Sequence, residues 1–327
     1  MRNVILTSDL HLTTAPRDEY RWGLFQWLGD ECKEHKVRYV YILGDLTDAK
    51  DFHSSALVNM VVQALTGLVE YADLTCINIL RGNHDSATDP EWPYFRFLNE
   101  IPSVAFIHEL TQDGVALWLP HTRDANDWKW LNMRKFTEVF AHATVSGAVA
   151  ENEQVLEGIP LSVFKGAGKV WSGDIHVPQT RGNVEYIGAP YPIRFGDKFK
   201  PRVVWIDDDG KSHDLHYPCL RRWMIEARDD RDLVGFAVRR GDQIKVRVPL
   251  ARSEYGQWKE AKQMVETWAR DQKVDLISVE LVPLLDKGKP TKKPTMQKRK
   301  SPEELFNEYC TRAKIAPTVA AAGRKML

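Results

Sequence analysis

Four short apolar stretches, Val4-Ile5-Leu6, Val40-Tyr41-Ile42-Leu43, Ile77-Asn78-Ile79-Leu80 and Val170-Trp171, are each followed within three residues by a glycine or an acidic residue that opens a polar cluster. Their length and β-branched content predict buried strands, with the residues just beyond them on loops at one edge of a sheet. Between them Tyr20, Leu24, Trp27 and Leu28 recur at helical spacing, as do Leu57, Val61, Ala64, Leu65 and Leu68. Strand alternating with helix predicts an α/β sheet with crossover connections. From Val104 onward short strands are expected more closely spaced, at 104–107, 115–119, 136–141, 170–172, 184–187 and 202–206. Asp208-Asp209-Gly210 then reads as a hairpin turn rather than a calcium loop.

After about residue 218 the pattern changes. Gln243 to Val248 alternates apolar residues with Lys245 and Arg247, as an edge strand would. Trp258, Ala261, Met264, Val265 and Trp268 share one helical face, and Leu276 to Val282 is strand-like again. Strand, helix and strand predict a small appended α+β unit whose aromatic stripe is its core. Residues 286–300 carry seven Lys/Arg, with Pro290 and Pro294 and no apolar periodicity, and read as a linker. Ser301, Pro302 and Glu304 then form a capping-box pattern ahead of Leu305, Phe306 and Tyr309. The expected division is 1–218, 219–285, 286–300 and 301–327. The last segment is either a helix for partner docking or one that packs on its own chain.

At 327 residues with 43% hydrophobic content, the chain can bury two cores. Its formal charge is zero but unevenly placed: residues 287–327 carry eleven Lys/Arg and three Glu, so residues 1–286 sum to −8. A basic C-terminal segment fits either an acidic partner or a solvated tail. Cys32, Cys76, Cys219 and Cys310 are far apart without a Cys-x-x-Cys pair, which points to a reducing compartment without structural zinc. The chain enters a strand at once, and no apolar run approaches the ~20 residues of a membrane span. A soluble, cytoplasmic protein with no membrane partner is expected.

The strand ends carry the chemistry. Asp9-Leu10-His11, Gly44-Asp45, Gly82-Asn83-His84-Asp85, His142 and Gly173-Asp174-Ile175-His176 would converge from five parts of the chain. Two divalent ions can activate water and clamp the oxygens of an in-line displacement at phosphorus. Asp45, ending a central strand, is the expected bridge. Asp9, His11 and His176 would complete one site, and Asn83, His142 and Asp174 the other. Mixed imidazole, carboxylate and amide donors suit manganese, iron or zinc better than calcium. His84, beside a ligand, would protonate the departing oxygen, with Asp85 orienting its ring. His121, after Leu119-Pro120, is within reach of the site or else structural.

This ordered set resembles the calcineurin-like metallophosphoesterases. Within them, Ser172 to Gln179, Tyr186-Ile187-Gly188-Ala189-Pro190-Tyr191 and Phe195-Gly196 are similar to the SbcD-type (Mre-type) DNA nucleases of bacteria and phages. The likeness spans about residues 1–200 by motif and the rest only by order of parts. It implies a two-sheet sandwich flanked by helices, a small capping domain that contacts duplex DNA, and a C-terminal docking helix. It also implies two manganese ions and 3′-to-5′ exonuclease and endonuclease activity in DNA repair, recombination or replication-end processing. The implied partner is an SbcC-type coiled-coil ATPase bound through residues 301–315, and a homodimer is compatible with it. Asp174 stands where the family usually has histidine; it still offers oxygen, but makes the second ion's site harder. Arg81 stands where proline is common, either as a phosphate contact or as a surface residue. His53 is either a DNA contact or part of a helix start, and Asp48 falls near the site. The alternative reading is a phosphoesterase acting on a small molecule or a phosphoprotein.

Overall fold

A computed structural model describes residues 3–50, 52–85, 93–284 and 309–310. The first sheet begins with β1 (Val4–Thr7), β2 (Tyr39–Ile42), β3 (Cys76–Leu80) and β4 (Val104–Ile107), parallel and adjacent in that order. The second is built from β5 (Thr111–Asp113), β6 (Ala116–Leu119), β7 (Glu138–His142), β8 (Lys169–Gly173), β9 (Gln179–Arg181) and β10 (Val184–Tyr186). Its order is β5-β6-β7-β8-β10-β9, with β6, β7, β8 and β10 parallel. The chain then returns to the first sheet with β11 (Val203–Ile206) and β12 (Ser212–Leu215), antiparallel beyond β1. Asp207 to Gly210 turns between them.

Parallel strands covered on both faces read as continuous apolar runs, and this explains β1. Val4 and Leu6 face the second sheet, meeting Leu43, Leu80, Trp118, Phe140 and Trp171. Ile5 faces the other way, into a core with the helices Gly23–His35 and Ser55–Ala72. The helix expected around Tyr20 starts later, because Pro16–Arg21 forms a 3₁₀ turn first. Ser55–Ala72 is long and apolar enough to cross a membrane by composition. Here Leu57, Val61, Leu65, Leu68 and Ala72 are buried in the core beside the first sheet.

A third, all-parallel sheet comprises β13 (Arg222–Glu226), β14 (Gln243–Ala251) and β15 (Asp275–Leu284). Helix Trp258–Gln272 lays Val265, Trp258, Met264 and Trp268 on it, as the aromatic spacing predicts. β14 is the central strand, not an edge. Its alternation arises because one face meets that helix while Arg247 on the other remains exposed. The basic linker 286–300 lies outside the described residues, as does the docking segment apart from Tyr309 and Cys310, which are helical.

A buried polar knot ties the third sheet to the body. Arg222 of β13 pairs with Asp18 and donates to the Ile193 carbonyl at 2.8 Å and to Gln243 Oε1 at 3.0 Å. Arg21 also lies 3.3 Å from Asp18. Removing one partner of a buried pair strands the other charge, which typically costs about 3–5 kcal/mol. Arg222→Met should therefore lower the urea midpoint, with the loss at the small end because Arg21 remains beside Asp18. Adding Asp18→Asn should recover part of it; a double variant as unstable as the two single losses combined would contradict the pair.

Candidate metal centre

The facing sheets bring the C-terminal ends of β1, β2 and β3 opposite those of β7 and β8. Just past these ends, four side-chain-bearing residues adopt left-handed backbone: Asp9 (φ 55°), His11 (φ 43°), Asp45 (φ 54°) and Asp174 (φ 81°). Such conformations cost about 1–3 kcal/mol each and persist where surroundings over-determine them. Here the loops are stitched together: Asp9 N–H donates to the Gly44 carbonyl at 3.0 Å, and His11 N–H to the Asp45 carbonyl at 3.0 Å. Asp174 N–H donates to Asp9 Oδ1 at 3.2 Å. The motif glycines serve close approach. A Cβ on Gly44 (φ 91°) would enter the His142 ring, and one on Gly82 would collide with Asp45.

Three histidines share one arrangement. His142 Nδ1 lies 2.6 Å from the Leu43 carbonyl, His11 Nδ1 lies 3.2 Å from Asp48 Oδ1, and His176 Nδ1 pairs with Glu151. The Leu43 carbonyl holds a proton on His142 Nδ1, and the Asp48 and Glu151 carboxylates favour one electrostatically on Nδ1 of His11 and His176, which leaves Nε2 as a lone-pair donor to a metal. All three Nε2 atoms turn into one space. His11 Nε2 is 3.1 Å from His176 Nε2 and 3.6 Å from Asp45 Oδ2. His142 Nε2 is 3.4 Å from Asp45 Oδ1, 3.6 Å from Asp174 Oδ1 and 3.1 Å from Asn83 Oδ1. The two oxygens of Asp45 thus face two different ligand groups, an arrangement suited to a bridging carboxylate.

The residues fit a pair of cations. Asp9 and Asp45 are 0% and 2% exposed, and Asp9 Oδ2 is buried without a hydrogen-bond partner. Asn83 turns its oxygen toward the same point as Asp45, Asp174 and His142; only a reversed amide would donate to them, at 3.1–3.3 Å. Lone pairs facing lone pairs in a dry site repel unless positive charge lies between them. Donor atoms of Asp9, His11 and His176 lie within 4.8 Å of one another, as do those of Asp9, Asp45 and His142.

The electrostatics agree. Burial pushes the Asp45 carboxyl well above the usual range, Asp85 and Asp9 adding to this and His142 opposing it. Burial lowers His142, but Asp45, Asp174 and Asp9 outweigh it and raise the ring to about 9. His11 falls to about 4, chiefly through burial, with His176 nearby. Glu151 is held down at about 2 by its bond to His176. The crowded carboxylates that raise Asp45 and His142 are what a cation site requires before it is filled.

Other expected residues are placed differently. His84 is half-buried, edge-on to His11 with ring centroids 4.7 Å apart, and its Nδ1 lies 2.9 Å from the Asp48 carbonyl. Asp85 does not orient it. Its carboxylate is fully buried and accepts from the backbone N–H groups of Asp45, Leu46 and Gly82 at 2.9, 3.0 and 2.7 Å, locking two motif loops together. Arg81 is 7% exposed and donates to the His108 and His121 carbonyls at 3.3 and 3.0 Å, bracing strand ends instead of facing phosphate. His53 stacks on Tyr94 at 4.2 Å with Nε2 2.9 Å from Thr47 Oγ1, which ties it into an aromatic cluster.

Glu151 and Thr144, which bonds Asp174, carried no signal in the sequence, since both sit on an irregular loop after β7. Carboxylates behind metal-bound histidines typically matter by 10–100-fold in metal affinity. Glu151→Ala should weaken the ion held by His176 by about that factor and spare the other, as read by Mn²⁺ calorimetry. Unchanged affinities for both ions would show that Glu151 lends His176 no support.

The centre opens into a cavity of about 240 Å³ lined by His11, Asp45, Asn83, His84, Asp174 and His176. Beside it, sharing Asp48, Ile193 and Arg194, a trough of about 380 Å³ runs to the third sheet past Arg17 and Lys245.

A family model described as calcineurin-like phosphoesterase matches residues 2–279. The chain is 20% identical over 238 residues to "Exonuclease subunit 1" of Enterobacteria phage T4, covering 67% of this chain and 68% of that protein. A solved structure of the Pseudomonas putida nuclease MPE superposes with a TM-score of 0.31 at 14% identity, over 65% of this chain and 87% of the other.

Proposed function

The chain belongs to the calcineurin-like phosphoesterases, metal-dependent hydrolases, and from that premise we propose that it is a two-metal DNA nuclease. The observation that carries the reading is the common posture of His11, His142 and His176, each with an oxygen beside Nδ1: Nε2 of His11 and of His142 faces opposite oxygens of Asp45, and Nε2 of His176 meets that of His11. Asp9, His11, Asp45 and His176 would hold one ion, and Asp45, Asn83, His142 and Asp174 the other, with manganese favoured by the mixed donors. Bound there, the ions would activate water and neutralise the phosphate oxygens. His84 contributes the proton. With Nδ1 directed at the Asp48 carbonyl, its imidazolium presents Nε2–H to the departing oxygen.

DNA is favoured as substrate by two features. Arg17, Arg194 and Lys245 gather along the trough beside the centre, giving a net-acidic body a local basic track for a polyanion. The phage T4 relative carries the name of an exonuclease subunit. We place the activity as 3′-to-5′ exonuclease and endonuclease within an SbcCD-like assembly. Mn²⁺-dependent digestion of end-labelled duplex DNA tests this directly. Cleavage of an aryl phosphate diester with no action on DNA would favour the small-molecule reading instead.

An SbcC-type coiled-coil ATPase would dock on residues 301–315. Deleting residues 301–327 should abolish pull-down of that ATPase while leaving Mn²⁺-dependent phosphodiester hydrolysis within about twofold. A truncated chain that still captures the ATPase would refute the docking role.

A further inference from the structure

We infer that His121 is a ligand of the second ion, an inference that rests on the two-metal reading above. The first sheet delivers donors from the ends of three adjacent strands: Asp9 after β1, Asp45 after β2 and Asn83 after β3. The second sheet has the same geometry in β6, β7 and β8, where Leu119 pairs with Ala141 and His142 pairs with Gly173. His142 and Asp174 stand at the ends of β7 and β8, and His121 stands two residues past β6. One donor atom from each of His121, His142 and Asp174 lies within 4.8 Å of the other two. The His121 ring meets the His142 ring edge-on, with centroids 5.8 Å apart.

Two further observations indicate a ligand rather than a packing residue. His121 Nδ1 is buried and has no hydrogen-bond partner. Its backbone, by contrast, is clamped: His121 N–H donates to the Arg81 carbonyl at 2.9 Å, and the Arg81 guanidinium donates back to the His121 carbonyl at 3.0 Å. A residue whose backbone is held this firmly, with a buried idle nitrogen on a ring that reaches two metal donors, is pre-positioned.

The chemistry supplies the reason. The Thr144 hydroxyl occupies Asp174 Oδ2, so Asp174 has one oxygen free for an ion. Without His121, the second site offers oxygens from Asp45, Asn83 and Asp174 and a single nitrogen, from His142. His121 adds a second imidazole and moves the site from hard, magnesium-like ligation toward manganese, iron or zinc.

The test titrates the full chain with Mn²⁺ alone by calorimetry and compares His121→Ala, His121→Gln and His121→Ala/Asp174→His, with circular dichroism to verify folding. The wild-type chain is expected to bind two ions. Both single variants should keep one at wild-type affinity and lose at least about tenfold at the other, and Asp174→His should restore it by returning an imidazole from the neighbouring strand. Two ions bound with wild-type affinity in both single variants would overturn the assignment, as would a loss that Asp174→His leaves unrepaired. Asp45→Asn separates the levels: if it too binds two ions normally, the bridged two-ion reading has failed and not His121 alone.

Discussion

Asp45→Asn should abolish Mn²⁺-dependent cleavage and remove both ions together, while making the metal-free protein more stable. The carboxylate is 2% exposed, and its two oxygens point toward His11 on one side and His142 on the other. An amide of the same shape retains an oxygen to accept the His84 N–H, which reaches Asp45 Oδ1 at 2.8 Å. It cannot supply the negative charge that holds two cations close together. Without metal, that charge is a cost, because burial disfavours the ionised form and, with Asp85 and Asp9 nearby, outweighs the opposing pull of His142. Neutralising it should raise the thermal midpoint of the metal-free chain by a few degrees, a ΔΔG of about 1 kcal/mol on the usual scaling. The same substitution should erase the metal-induced rise in midpoint, which follows from binding linkage. Calorimetry with Mn²⁺ and thermal scans with and without it read both effects. Loss of a single ion would show that Asp45 does not bridge, and a drop in the metal-free midpoint would contradict the charge argument.

His84→Ala should lower kcat on duplex DNA by about 10²–10⁴, the usual weight of a positioned general acid, with Mn²⁺ affinity unchanged. A His84 nitrogen comes within 4.8 Å of donor atoms of His11 and Asp45, while Nδ1 faces the Asp48 carbonyl and the ring lines the cavity where the departing oxygen would sit. Proton donation matters most when the departing oxygen is a poor leaving group, as a sugar alkoxide is. An aryl phosphate diester releases a stabilised phenolate, so the variant should lose much less on that substrate. Equal losses on both substrates would assign His84 to phosphate binding instead of proton transfer, and altered Mn²⁺ affinity would assign it to the metal.

The capacity to build this centre is local and therefore visible in the chain. Apolar runs of strand length that end in Asp9-Leu10-His11, Gly44-Asp45 and Gly82-Asn83-His84-Asp85 place donors on one edge, because a parallel sheet points every strand end the same way. The aromatic stripe of Trp258–Gln272 was equally legible, since helical spacing decides which side chains share a face.

The roles of the supporting residues came only with tertiary structure. Asp85 follows His84 in sequence, yet it bonds backbone from two loops, and the carbonyl that steadies His84 belongs to Asp48. Arg81 could serve equally as a phosphate contact or a brace until the sheets packed and enclosed its guanidinium between the His108 and His121 carbonyls. Glu151 reaches His176 from a loop with no periodic signature, and β14 became central when β13 and β15 paired on either side. Periodicity in a chain reports which way a side chain faces within its own element. What that side chain meets depends on how distant elements approach, and neighbouring residues in the sequence do not record that.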